Sequence, residues 1–211
     1  MRKITGAAAA AIIIGVGLVG CSSSTEDTQG ATESGSPSAA ESSSSAPASD
    51  SAEGAEQITF TTNYGPIVVT TDPAAPQTVA GQSSLAKNGY FDGTICHRVV
   101  TQGIFVLQCG DPTGTGTGDP GYTLPDENLP GATENNYPAG TVAMANAGPG
   151  TGGSQFFIVY DDTTLPPGYT IWGEVTKGLD TVAKIGKENA KAGVSDGAPV
   201  NEVAIESAQT S

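Results

Sequence analysis

From residue 56 onward the chain is cut into short pieces by glycine and proline, as at Gly65-Pro66, Gly148-Pro149-Gly150, Gly152-Gly153 and Pro166-Pro167-Gly168. Long helices do not survive such punctuation. Proline removes a helical hydrogen bond, and a mid-helix glycine costs about 1 kcal/mol relative to alanine. The pieces between the breaks are rich in β-branched and aromatic residues. Ile58-Thr59-Phe60-Thr61-Thr62 and Ile67-Val68-Val69-Thr70-Thr71 flank Asn63-Tyr64-Gly65-Pro66 and predict a hairpin. Further strands are predicted over 94–100, 105–109, 141–145, 155–159, 169–175 and 200–205. Pro76 suits a first helical turn and Asn88-Gly89 a stop, so a helix is predicted over 76–88, with a second over 179–187. A Gly/Pro-rich loop fills 111–137. Many short strands with two helices suggest a closed antiparallel barrel or a sandwich.

The first 55 residues have another character. Arg2 and Lys3 precede an apolar, uncharged stretch from Ala7 to Val19, too short and too glycine-rich to span a membrane. It ends in Leu18-Val19-Gly20-Cys21, which resembles a bacterial lipobox. The expectation is a signal peptide over 1–20, cleaved before a lipid-bearing Cys21. Several acyl chains on one cysteine hold a protein stably where one would not. The expected location is the cell membrane, with the domain on its extracytoplasmic side. Residues 22–55 are dominated by Ser, Ala, Glu, Asp, Thr, Gly and Pro, without aromatic, Ile, Leu, Val or Met. They are expected to form a disordered tether reaching roughly 30 Å. Residues 56–211 fit one domain.

Residue types exclude several chemistries. The domain has 16 acids against 6 lysines and arginines, and the basic residues do not cluster with aromatics, which argues against nucleic acid and anionic lipid as partners. One histidine leaves no HExxH and no histidine cluster for zinc, and no serine lies in G-x-S-x-G. Gly116-Thr117-Gly118-Asp119-Pro120-Gly121 spells GxGxxG, but Pro120 and Pro125 deny it the helix that a pyrophosphate needs. No cofactor or metal is expected, and nothing calls for more than a monomer. Cys96 and Cys109 are a candidate disulfide: exported thiols tend to pair, and the two lie on adjacent predicted strands. Alternation argues the other way, because Cys96 would share the face of Arg98 and Gln108 while Cys109 would not. The heptapeptide Thr94-Ile95-Cys96-His97-Arg98-Val99-Val100 holds the only histidine and the only arginine besides Arg2.

Four blocks carry a family resemblance. Phe91-Asp92-Gly93-Thr94-Ile95-Cys96-His97-Arg98-Val99-Val100 is similar to the cyclophilin segment usually written YDGTxFHRVI. Phe105-Val106-Leu107-Gln108-Cys109-Gly110-Asp111-Pro112-Thr113-Gly114-Thr115-Gly116 resembles FMIQGGDPTGTG. Met144-Ala145-Asn146-Ala147-Gly148-Pro149, then Gly153-Ser154-Gln155-Phe156-Phe157-Ile158, resembles MANAGPxxxGSQFFI. Trp172-Gly173-Glu174-Val175 with Gly178-Leu179-Asp180 fits FGxVxxGxD. In one order over about residues 57–206, they make the chain similar to the cyclophilin-type peptidyl-prolyl isomerases, in a bacterial lipoprotein form. The resemblance implies a mainly β fold, a closed eight-stranded antiparallel barrel capped by two helices. It implies isomerisation of X-Pro bonds in exported proteins, with proline-containing polypeptides as partners. The catalytic set falls on Arg98, Gln108 and Asn146. Substrate-binding positions fall on Phe105, Val106, Ala145, Gln155, Phe157, Leu165 and Tyr169. His97, Arg98's neighbour on a strand, should face the other way and be hydrogen-bonded in the core.

The chain departs from the family pattern in places. Two extra residues lie between Arg98 and Gln108, around Thr101-Gln102-Gly103-Ile104. Val106 stands where methionine is usual, and Trp172 aligns with a buried phenylalanine. The alternative reading is a non-catalytic proline-peptide binding module, or a surface antigen on the same fold.

Overall fold

The computed structural model describes residues 56–211; the expected signal peptide, the lipidation site Cys21 and the tether lie outside the described residues. The predicted hairpin forms as β1 (Gln57–Thr62) and β2 (Gly65–Thr71), with Gly65 at φ +121° resuming the strand after a two-residue turn. Helix α1 (Pro76–Lys87) starts on Pro76, where no N–H is needed, and stops at Asn88 before Gly89 at φ +68°. Its mid-helix Gly81 makes room for the Leu124 side chain.

Predicted strand 94–100 divides. β3 (Thr94–Ile95) and β4 (Arg98–Val100) are separated by Cys96 and His97, and β5 (Val106–Cys109) follows. Then come β6 (Thr141–Met144), β7 (Phe156–Val159), β8 (Ile171–Lys177), α2 (Leu179–Lys191), β9 (Asp196–Gly197) and β10 (Ala204–Thr210). All pairs are antiparallel, in the order β3-β10-β1-β2-β8-β6-β7-β5-β4-β9. β3 and β4 therefore lie near opposite ends of the hydrogen-bonding order, although two residues join them. Only a sheet curled until its ends approach can satisfy both facts.

The expected closed eight-stranded barrel is thus corrected to a curled ten-stranded sheet. Its end strands, β3 and β9, have two residues each and do not pair with one another, and an isolated bridge Ile95↔Asp111 spans the seam. The two helices are as expected in number. α1 packs on β10 and β8, and α2 on β2, β4 and β5.

Strand alternation then makes two apolar clusters from one sheet. Leu107, Val142, Met144, Phe156, Ile158 and Trp172 face the inside of the curl with Phe60 and Phe91. Their strand neighbours Val106, Ala143, Phe157 and Val159 face outward into a second cluster with Tyr137. β6 and β7 are buried at every position for this reason.

Because the chain leaves the strand at Cys96, alternation no longer governs that side chain. Cys96 and Cys109 both turn into the inner core and are joined as a disulfide. The glycines of 114–118 also find their use. Asp111, fully buried, accepts bonds from the N–H groups of Thr113, Thr115, Gly116 and Gly118 and from the Thr113 hydroxyl. Burial pushes its carboxyl up, but hydrogen bonds from Thr113, Gly118 and Gly116 outweigh this and hold it at about 2. A Cβ at Gly118 would lie 2.1 Å from the carboxylate, so only glycine fits. The GxGxxG-like run wraps an internal anion in the way such loops wrap phosphates.

Removing the cross-link as Cys96→Ala/Cys109→Ala is expected to cost about 2–4 kcal/mol. Urea unfolding of oxidised wild type beside the variant measures it.

Candidate active site

Arg98 and Gln108 are direct partners in the β4–β5 register, so their side chains leave the same outer face. Arg98 Nη1 donates to Gln108 Oε1 at 3.2 Å. Gln108 Nε2 donates to Gln155 Oε1 at 3.0 Å, and Gln155 Nε2 to the Gly118 carbonyl at 2.9 Å. Each amide is oriented by the one before it, starting from a guanidinium that can only donate. On its other side Arg98 donates from Nε and Nη2 to the two oxygens of Asp196, at 2.7 and 2.8 Å. The hydrogen bond to Asp196 pushes the Arg98 pKa up further, and the same bond holds the Asp196 carboxyl below its ordinary value.

Beside the guanidinium opens a cavity of about 220 Å³, lined by Arg98, Ile104, Val106, Gln108, Ala145, Asn146, Phe157, Leu165 and Tyr169. Its aromatic side is rigid. The Phe157 and Tyr169 rings meet edge to face at 5.4 Å. The buried Tyr137 hydroxyl donates to the Tyr169 carbonyl and accepts from its N–H, both at 3.1 Å. Asn146 Nδ2 donates to the Gly168 carbonyl at 2.7 Å, which ties the β6 end to the segment carrying Tyr169. A second cavity of about 650 Å³ shares Gln108, Ala145 and Asn146 with the first, is lined by Gln155 as well, and runs past Tyr122 and Thr151. An extended chain can therefore cross from one to the other.

Of the residues read from the sequence, Arg98, Gln108, Asn146, Val106, Ala145, Phe157, Leu165 and Tyr169 surround the small cavity, and Gln155 stands at its junction with the larger one. Phe105 does not join them. Val106 and Gln108 of β5 face the groove, and Ile104, in the bend before the strand, takes the wall. The Phe105 ring turns to Tyr160 at 6.0 Å, and its N–H donates to the Thr163 hydroxyl. The longer β4–β5 connection permits this arrangement.

His97 also differs from expectation. Its ring nitrogens are buried but have no protein hydrogen-bond partner, and the ring lies beside Gly116. Burial lowers its pKa, with Asp111 opposing and Arg98 assisting. Three residues went unread in the sequence: Ile104, Tyr137 and Asp196. Ile104 lies in the bend before β5, where strand alternation gives no signal. No local signal marks Tyr137 or Asp196. Among the described residues no group of three or more His, Cys, Asp or Glu is placed to hold a metal ion.

Ile104→Ala should raise KM for X-Pro peptides severalfold at little cost in stability. Phe105→Ala should leave KM within about twofold while lowering stability by about 2 kcal/mol. Steady-state kinetics beside urea unfolding separates the two.

Comparison with known proteins agrees with the geometry. The profile of the family described as "Cyclophilin type peptidyl-prolyl cis-trans isomerase/CLD" matches residues 57–210. A Mycobacterium tuberculosis protein named "Probable peptidyl-prolyl cis-trans isomerase B" is 46% identical over 162 residues, covering 71% of this chain and 53% of the relative. "Peptidyl-prolyl cis-trans isomerase B" of Bacillus subtilis is 49% identical over 111 residues, covering 51% of this chain and 73% of its own. The chain spans about half the length of the mycobacterial relatives it matches. A crystal structure of a Cryptosporidium parvum cyclophilin type peptidyl-prolyl cis-trans isomerase superposes with TM-score 0.63 at 30% identity, covering 74% of this chain and 98% of that one. The same protein has been solved in the presence of the dipeptide Ala-Pro.

Proposed function

This chain belongs to the cyclophilin-type peptidyl-prolyl cis-trans isomerase family, and on that premise we propose that it isomerises X-Pro bonds in exported proteins and assists their folding. The observation that carries the reading is the Arg98 guanidinium at the rim of a pocket walled by Phe157, Val106 and Leu165.

The chemistry asks for no nucleophile. Amide resonance makes the barrier, and uncatalysed X-Pro exchange takes tens to hundreds of seconds. As the bond twists, the proline nitrogen loses its share of resonance, becomes pyramidal and can accept a hydrogen bond. A donor that never titrates, fixed beside an apolar ring pocket, favours the twisted state over the planar one. Each 1.4 kcal/mol of that preference is worth roughly tenfold in rate. Phe157 and its neighbours hold the proline ring. Gln108, Gln155, Asn146 and Ala145 offer polar groups to the peptide backbone on the side of the larger cavity. His97, its pKa lowered by burial, stays neutral in this scheme and transfers no proton.

The lipobox-like Leu18-Val19-Gly20-Cys21 supports a chain held by lipid on Cys21 outside the membrane, with 22–55 as its tether. A folding helper on a tether would meet polypeptides as they emerge from export.

Arg98→Ala is expected to lower kcat/KM for an Ala-Pro-Phe peptide by about 10²–10³. A wild type no faster than this variant would leave the binding-module reading standing. The wild-type rate should be flat from about pH 7 to 9, because Arg98 stays charged there and the scheme asks no proton of His97, whose pKa burial lowers. Cells given labelled palmitate should mark the wild type and not Cys21→Ala, which should appear in the medium; an unlabelled wild type would refute the anchor.

A further inference from the structure

We propose that Asp196 is the positioning residue for Arg98, holding the guanidinium in the one orientation that turns free N–H groups toward the pocket. The inference rests on the isomerase reading. A guanidinium has five N–H donors. Two are held by the Asp196 carboxylate and one by Gln108, which leaves one on each terminal nitrogen for a substrate. Asp196 takes Nε and the near edge of Nη2, so the plane of the group is set by two contacts in a fork and not by one.

Arg98 needs such a clamp. It opens a strand of three residues, its side chain is 38% exposed, and arginine has large rotamer freedom to lose. Gln108 alone grips one corner of it. As a contribution to stability the pair is minor, since the Asp196 side chain is 52% exposed and exposed ion pairs add little. What the fork supplies is orientation.

The backbone under Asp196 is docked without help from its carboxylate. β9 pairs with β4 through Val99↔Gly197 and Val100↔Asp196. Thr101 donates its N–H to the Ser195 carbonyl at 2.9 Å and its hydroxyl to the Val194 carbonyl at 2.6 Å. The loop therefore delivers a carboxylate to a fixed place, and removing the charge leaves the loop attached. Asp196→Asn isolates the carboxylate's role.

The test is a double-mutant cycle on the full chain: wild type, Asp196→Asn, Arg98→Ala and the pair, each followed by cis–trans exchange of an Ala-Pro-Phe peptide. Asp196→Asn is expected to lower kcat by roughly ten- to a hundredfold with KM within about twofold. Its melting temperature should stay within about 2 °C of wild type. In the Arg98→Ala background the same substitution should change nothing, because there is no guanidinium left to orient. An Asp196→Asn chain as fast as wild type overturns the proposal, and so does an equal further loss in the Arg98→Ala background. A wild type no faster than Arg98→Ala overturns the isomerase reading, and the role of Asp196 with it.

Discussion

The pairing of Arg98 opposite Gln108 is the contact around which the rest of this domain is arranged. It sits one step from the seam of the curled sheet, where Cys96 and His97 carry the chain from the β3 end to the β4 end. The disulfide lies immediately inside that seam, and the Ile95↔Asp111 bridge crosses it. A short ladder at the edge of a sheet would ordinarily fray. Here the edge is bonded covalently below, paired with β9 on its outer side, and covered by α2.

Two carboxylates bracket the groove. Asp196 holds one end of a hydrogen-bonded line that runs through Arg98, Gln108 and Gln155 to the carbonyl of Gly118. The N–H of that same glycine donates to Asp111, buried beneath the loop. Arg98, Gln108 and Gln155 thus lie on one line whose ends are held by groups with a fixed hydrogen-bonding direction. Guanidinium only donates and ionised carboxylate only accepts. Preorganisation of this kind holds the donors in place before anything enters the groove.

The groove and the core are two faces of the same strands. β5, β6 and β7 carry apolar residues on both sides, so each residue pair contributes one side chain inward and one outward. This explains why Phe156 packs against Trp172 inside while Phe157, next to it, walls the small cavity beside Arg98 outside. Phe105 lies ahead of β5, in the longer connection, where its ring turns to Tyr160 and Ile104 takes the wall in its place.

Most of the framework was legible in the sequence, because glycine, proline and β-branched residues act locally: the first hairpin, α1 and the central strands follow from patterns a few residues long, while the Arg98, Gln108 and Phe157 assignments came from the family resemblance. β9, the break at Cys96-His97, and the length of α2 beyond residue 187 were not, since each depends on what packs against it. Pairing of the two cysteines stayed open for the same reason. Local alternation opposed it, and the kink that removes the conflict exists only when the sheet curls. By itself the sequence determined which residues can build a donor beside an apolar pocket, because residue chemistry needs no neighbours. Only the tertiary structure decided which carboxylate holds the arginine, which side chain walls the pocket and where the sheet meets itself. Those contacts join positions as far apart as Arg98 and Asp196, and nothing short of the folded chain brings them within 2.7 Å.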